Sequence, residues 1–220
     1  MSLRIQTNVE AFNAQRQLTS NSDKLSKAME KLSSGYRINR ASDDAAGLGI
    51  SEKMRGQIGG LAQANRNAGD AVSLVQTGEG ALNEVHSMLQ RVRELAVQYK
   101  NGTLSTTDRN AIQSEVNQLA SEIERIGTDT EFNGTKLLNS ASTVTFQVGA
   151  SDGQQITVAT ISVGGQVSSA AFALSASGAS DIDEIDTAIN NVSAARATFG
   201  AVQNRLEHTM SNIASYQENL

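Results

Sequence analysis

No proline interrupts the 220 residues, and between Asp43 and Gln98 apolar residues recur at spacings of threes and fours without a break. Proline ends helices because it lacks a backbone donor and clashes with the preceding turn. Without it, Met54, Ile58, Leu61, Ala68, Val72, Val75, Leu82, Val85, Leu89 and Val92 fall on one continuous helical stripe. The first stop is the Asn101-Gly102 pair. At 1.5 Å per residue, a helix over 43–98 is roughly 80 Å long, far beyond an ordinary globular helix. A stripe of that length needs partners along all of it. The chain therefore reads as mainly α, an elongated antiparallel helical bundle, or rod.

Three further helices can supply or need those partners. Leu18, Leu25 and Leu32 lie seven apart with Met29 between them, and Gly35 follows as a left-handed cap. Ser42 or Asp43 can then cap the long helix, with Asp44 in its first turn against the positive end of the dipole. Ile112, Val116, Leu119, Ile123 and Ile126 alternate four and three after a Ser105–Asp108 start signal, and Gly127 is the expected stop. Ile185, Val192, Phe199, Leu206, Ile213 and Leu220 form a seven-residue series, with Ile189 and Val202 filling in. Between these two helices the period changes. Val144, Phe146 and Val148 alternate, GASDG at 149–153 turns, and Ile156, Val158, Ile161 and Val163 follow with one break in phase, which predicts a small β-hairpin. Residues 164–180 (GGQVSSAAFALSASGAS) are small and uncharged and read as a passive surface loop, with only Phe172 and Leu174 large enough to tuck in.

Composition removes several functions. Aromatic residues make up 4% of the chain, and Trp and Cys are absent, so a thick core, a disulfide framework and thiolate chemistry are all excluded. The net charge of −5 is interspersed, with no basic stripe for nucleic acid. No run of 18 apolar residues offers a membrane span, and residues 1–8 lack the apolar core of a secretion signal. Composition alone points to a cytosolic protein.

The chemical motifs are equally sparse. His86 and His208 each stand alone on a helix outside any ligand spacing. The glycines at 56–60 and 78–80 lack the preceding strand that a phosphate cradle requires, and they read as points of close helix approach. Asp43 and Asp44 are dipole partners rather than metal ligands. No residue is assigned to catalysis, to a cofactor or to a metal. Asn101-Gly102-Thr103, Asn133-Gly134-Thr135 and Asn191-Val192-Ser193 match a glycosylation sequon, but the two Asn-Gly pairs are first of all turn formers.

Residues 32–58 read LSSGYRINRASDDAAGLGISEKMRGQI, a helix end, an elbow and a new helix start in one run. With residues 4–8, QRVRELAVQ at 90–98, TEFNGTKLL at 130–138 and FQVGA at 146–150, this segment resembles bacterial flagellin, block by block and in the family's order. The resemblance implies a filament subunit that leaves the cell unprocessed through the flagellum's own export channel. It implies as partners other flagellin subunits, export chaperones and the filament cap. It divides the chain into an N-terminal helix and elbow at 1–42 and a helical rod at 43–220, with the hairpin and loop inserted at about 143–181. The short insertion implies a minimal or absent outer domain. The unfinished stripe at Leu220 gives the expectation of a truncated C-terminal end, a missing partner for the first helix, and hence a chain that on its own stays soluble and forms no filaments.

The resemblance also implies a docking site for the vertebrate Toll-like receptor that recognises flagellin, carried onto Arg91, Leu95 and Glu115. Arg91 and Leu95 are four apart, hence on one helical face, and the third helix must fold back beside them after a short loop. Two other functions compete with the filament subunit. The hook–filament junction protein shares the amino-terminal pattern, but NRASDDAAGL and QRVRELAVQ fit flagellin better. A coiled-coil adaptor would show the stripes without the motifs, and an enzyme stands further off.

Overall fold

The computed structural model describes residues 8–163, Phe172, Leu174 and 181–220. The order is α1 (Val9–Ser34), α2 (Ala45–Tyr99), α3 (Thr106–Asp129), β1 (Glu131–Phe132), β2 (Thr135–Lys136), β3 (Thr143–Gln147), β4 (Gln155–Ala159) and α4 (Asp181–Asn219). Two compact units result, Met1–Gln57 and Ile58–Leu220.

In the first unit, α1 begins where the Asn8 side chain accepts from the Ala11 amide, and it ends at Gly35 with φ +73°, the left-handed cap. The elbow that follows is held by polar groups. Asn39 Nδ2 donates to Ser34 Oγ at 2.8 Å, and Arg40 Nε donates to Glu30 Oε1 at 2.9 Å. Here the structure corrects the capping scheme. Asp44, expected inside the first turn, is itself the cap, accepting from the Gly47 amide at 2.9 Å. Asp43 instead accepts from the amides of Asn39 and Arg40 and closes the elbow. Those hydrogen bonds, that from Asn39 first, hold the Asp43 carboxyl below the usual aspartate range. None of residues 8–57 is buried.

The second unit contains the core. From Leu61 onward the α2 stripe is buried, through Leu74, Val75, Leu82, Val85, Leu89 and Val92. The whole seven-residue series of α4 from Ile185 to Ile213 is buried too. Their pairing is antiparallel along the length. Lys100 meets Asp181, Arg93 meets Asp186, Gly78 meets Phe199, and Leu61 and Ala64 meet Ile213. Each fully buried Leu, Ile or Phe contributes about 1.5–3 kcal/mol, so the seam is continuous in energy as well as in geometry. Gly78 is needed at its crossing, because a Cβ there would lie 2.7 Å from the Phe199 ring.

Helix α3 opens with the capping box that the sequence predicts. Ser105 Oγ accepts from the Asp108 amide while Asp108 accepts from the Ser105 amide. It does not stop at Gly127, which is buried inside the helix; the helix runs to Asp129 and closes at Thr130. The reason is packing, since a glycine only ends a helix where the backbone turns left-handed, and this one does not.

Beyond it, β1 and β2 form a two-residue hairpin turning on Asn133 (φ +48°) and Gly134 (φ +76°). The predicted larger hairpin is β3 with β4, in register from Thr143↔Ala159 to Gln147↔Gln155. Its strand ends sooner than the alternation suggests. At the break in phase sits buried Thr160, whose hydroxyl donates to the Ser140 carbonyl at 2.7 Å and accepts from the Ser142 amide at 2.8 Å. Ile161 and Val163 then bond to Leu137 and Leu138 instead.

The passive-loop reading of 164–180 is corrected at the two described positions. Phe172 and Leu174 are core residues, and α3 holds them through one side chain. Gln113 donates from Nε2 to the Phe172 carbonyl at 3.1 Å and accepts the Leu174 amide at 2.9 Å. The rest of that segment lies outside the described residues.

Candidate functional site

Two of the three expected site residues form one surface group. Arg91, on α2, donates from Nε and Nη2 to Glu115 Oε1 on α3 at 3.1 and 2.9 Å, and from Nη1 to Glu94 at 3.2 Å. The short loop 100–105 makes this possible, because it returns α3 alongside the last turns of α2. The carboxylates, Glu115 first, stabilise the cation and raise the pKa of Arg91. Arg91 and Glu115 remain exposed, so the pair contributes little to folding. Its effect is to fix where a five-donor guanidinium sits.

Leu95 is placed differently. It is on the expected face of α2 but only 2% exposed, packed in the bundle core. The accessible patch is therefore Arg91, Glu94 and Glu115, without Leu95. Glu94 was missed at the sequence level, although its spacing of three from Arg91 is the signal that finds it.

A second surface is the apolar face of α1. Leu18, Leu25 and Leu32 are 71%, 66% and 79% exposed, with Phe12 and Met29 also bare. No residue of this helix is buried.

The chemical candidates find no company. His86 Nε2 lies 2.9 Å from the Gln90 amide nitrogen, and His208 is exposed. Among the described residues no three His, Cys, Asp or Glu side chains gather in a way that could hold a metal ion. No helix among them is long and apolar enough to cross a membrane.

Comparison with known proteins covers both ends of the chain. Residues 5–143 match the bacterial flagellin N-terminal helical region, and residues 182–220 match the bacterial flagellin C-terminal helical region. The chain is 51% identical to a flagellin of Halalkalibacterium halodurans, over 98% of this chain and 82% of that one. It is 47% identical to a flagellin of Bacillus subtilis, over 99% and 84% respectively. Among solved structures, the Bacillus cereus flagellin crystal structure aligns with 67% of this chain and 88% of its own at 33% identity, with a TM-score of 0.59. A putative flagellar hook-associated protein from Vibrio parahaemolyticus shares the fold, with a TM-score of 0.54 at 15% identity.

Proposed function

We propose, for a chain that belongs to the bacterial flagellins, how its surfaces serve assembly and recognition. The chain is a structural subunit of the flagellar filament and associates with other flagellin subunits. Association is heterologous: one surface meets a different surface on the next subunit and generates an open helical polymer. The observation that carries this reading is the uncovered stripe of α1, with Leu18, Leu25, Met29 and Leu32 exposed on one face of a helix that buries nothing of its own. Functionally the chain divides at the elbow, with 1–42 serving subunit contact and 43–220 forming the rod. It is secreted through the flagellar export channel, with export chaperones and the filament cap as further partners, and no catalysis is assigned to it.

The test is seeded polymerisation read by sedimentation and electron microscopy. Leu18→Ser, Leu25→Ser and Leu32→Ser together should stop incorporation into filaments while the melting of the bundle stays unchanged. Incorporation at the parent rate would sink the reading.

A second role rests on the Arg91–Glu115 pair. We infer that this patch is also where the vertebrate Toll-like flagellin receptor docks, because an Arg held in place by two carboxylates suits an interface anchor. Arg91→Ala should weaken receptor affinity by about tenfold or more, with helicity intact. Glu115→Ala should act in the same direction by releasing the guanidinium. Leu95→Ala should weaken binding only through lost packing, so its affinity loss should track its loss of stability. Unchanged affinity in Arg91→Ala and Glu115→Ala would reject the site.

A further inference from the structure

We propose that Asn101 is a site of spontaneous covalent modification, its side-chain amide converting through a succinimide to aspartate and isoaspartate. The chain carries two Asn-Gly pairs in exposed turns, 101–102 and 133–134, and the structure separates them sharply.

The reaction needs the nitrogen of the following residue to reach the asparagine side-chain carbonyl carbon. At Asn101 the local structure favours this. Gly102 has no Cβ to hinder attack, its surroundings are open, and its amide has no hydrogen-bond partner among the described residues. The Asn101 carboxamide folds over the chain that follows it, with Oδ1 accepting from the Thr103 amide at 3.2 Å. That same donor points at the oxygen on which negative charge develops when the carbonyl is attacked, a small preorganised oxyanion site.

At Asn133 the backbone opposes the reaction. Positive φ at both Asn133 and Gly134 defines a type I′ hairpin turn. In that left-handed conformation the next nitrogen is rotated nearly anti to Cβ, away from the side chain. The turn is locked by the Phe132↔Thr135 pairing, by the Lys136–Glu131 ion pair at 2.8 Å, and by the Leu137 amide on the Thr130 carbonyl. Reaction there requires the hairpin to open.

The chemistry balances without a co-reactant other than water. The Gly102 nitrogen forms a bond to Asn101 Cγ, the Cγ–NH2 bond breaks, and ammonia leaves with the proton from Gly102. Water then opens the ring at either carbonyl, giving aspartate or the backbone-lengthened isoaspartate. Either product places a new negative charge in the loop between α2 and α3. Isoaspartate also displaces the Asn101 carbonyl that accepts from Arg109 Nη2 at 3.2 Å.

The full folded chain is incubated in mildly alkaline buffer at physiological temperature, and its peptides are followed by mass spectrometry with isoaspartate-specific enzymatic labelling. Asn101 should convert at least about tenfold faster than Asn133, a barrier difference of about 1.4 kcal/mol. Gly102→Ala, which meets nothing within 4 Å, should slow conversion at Asn101 without altering helicity. Equal rates at the two sites, the reverse order, or no conversion at Asn101 would each overturn the proposal.

Discussion

Helices α1 and α4 carry the same seven-residue apolar repeat and meet opposite fates. The α4 series from Ile185 to Ile213 is 5% exposed or less at every step, whereas Leu18, Leu25 and Leu32 of α1 are all more than 60% exposed. Periodicity alone cannot separate them. What separates them is that α4 has an antiparallel neighbour in its own chain, stepping from Lys100–Asp181 to Leu61–Ile213, while α1 covers none of its leucines. A repeat thus says that a face is built to be covered; topology says whether the chain covers it itself.

The sharpest way to break this contrast is to truncate the same kind of side chain in both helices. Phe199→Ala should cost about 3–5 kcal/mol, since its ring fills the crossing at Gly78. Leu25→Ala should change unfolding by no more than about 0.5 kcal/mol, like other exposed sites. Denaturant unfolding followed by circular dichroism measures both. Comparable losses would mean that α1 is part of the cooperative core after all.

Next in size is the segment that the sequence made look idle. Replacing residues 166–177 by a Gly/Ser linker removes the Phe172 and Leu174 side chains from the core, and should lower stability by about 2–5 kcal/mol. Gln113→Ala should cost less, about 1–2 kcal/mol for two hydrogen bonds to the backbone of that segment. A linker variant that melts like the parent would restore the passive loop.

What could be read in advance follows the range of the forces involved. Local signals were legible: the Gly35 cap, the Ser105–Asp108 box, the Asn133–Gly134 turn and the α4 heptads each depend on neighbours within a turn or two. Long-range matches were not. Gln113 is an ordinary polar residue on a helix until residues 172 and 174 arrive, and Thr160 marks a break in alternation without saying that it ties back to Ser140 and Ser142. Leu95 shows the same limit within the candidate site. Its spacing from Arg91 fixed the helical face, while its burial depended on where α3 and α4 lie.

A smaller test compares helix starts. Ser105→Ala removes the capping oxygen of α3 and should cost about 1 kcal/mol. Asn8→Ala removes the equivalent cap of α1, yet should leave the global unfolding midpoint where it was, fraying only the first turn of a helix that has no core. Hydrogen exchange at the Ala11 amide, set against the unfolding curve, reads the two effects separately.

The smallest expected effect is the response to acid, and it again divides the two regions. Asp186 in the bundle is held below the usual aspartate range chiefly by the hydrogen bond from Arg93, with burial opposing and the Arg93 charge assisting. Asp43 in the elbow is held below it chiefly by the Asn39 amide. A carboxyl whose folded pKa is depressed favours the fold fully above its unfolded value. That contribution fades as pH falls through the folded value, so both should weaken below about pH 4. Asp186 bridges two helices of the cooperative unit at 2.6 Å, so its protonation should appear as a slightly steeper acid slope in global stability, abolished in Asp186→Asn. Its exposure keeps that slope shallow. Asp43 closes an elbow in a unit with no buried residue among those described, so acid should quicken exchange of the Asn39 and Arg40 amides and leave the global transition unmoved. If Asp43→Asn instead flattens the acid slope of global unfolding, the elbow and the bundle melt as one, and the contrast between α1 and α4 loses its energetic meaning.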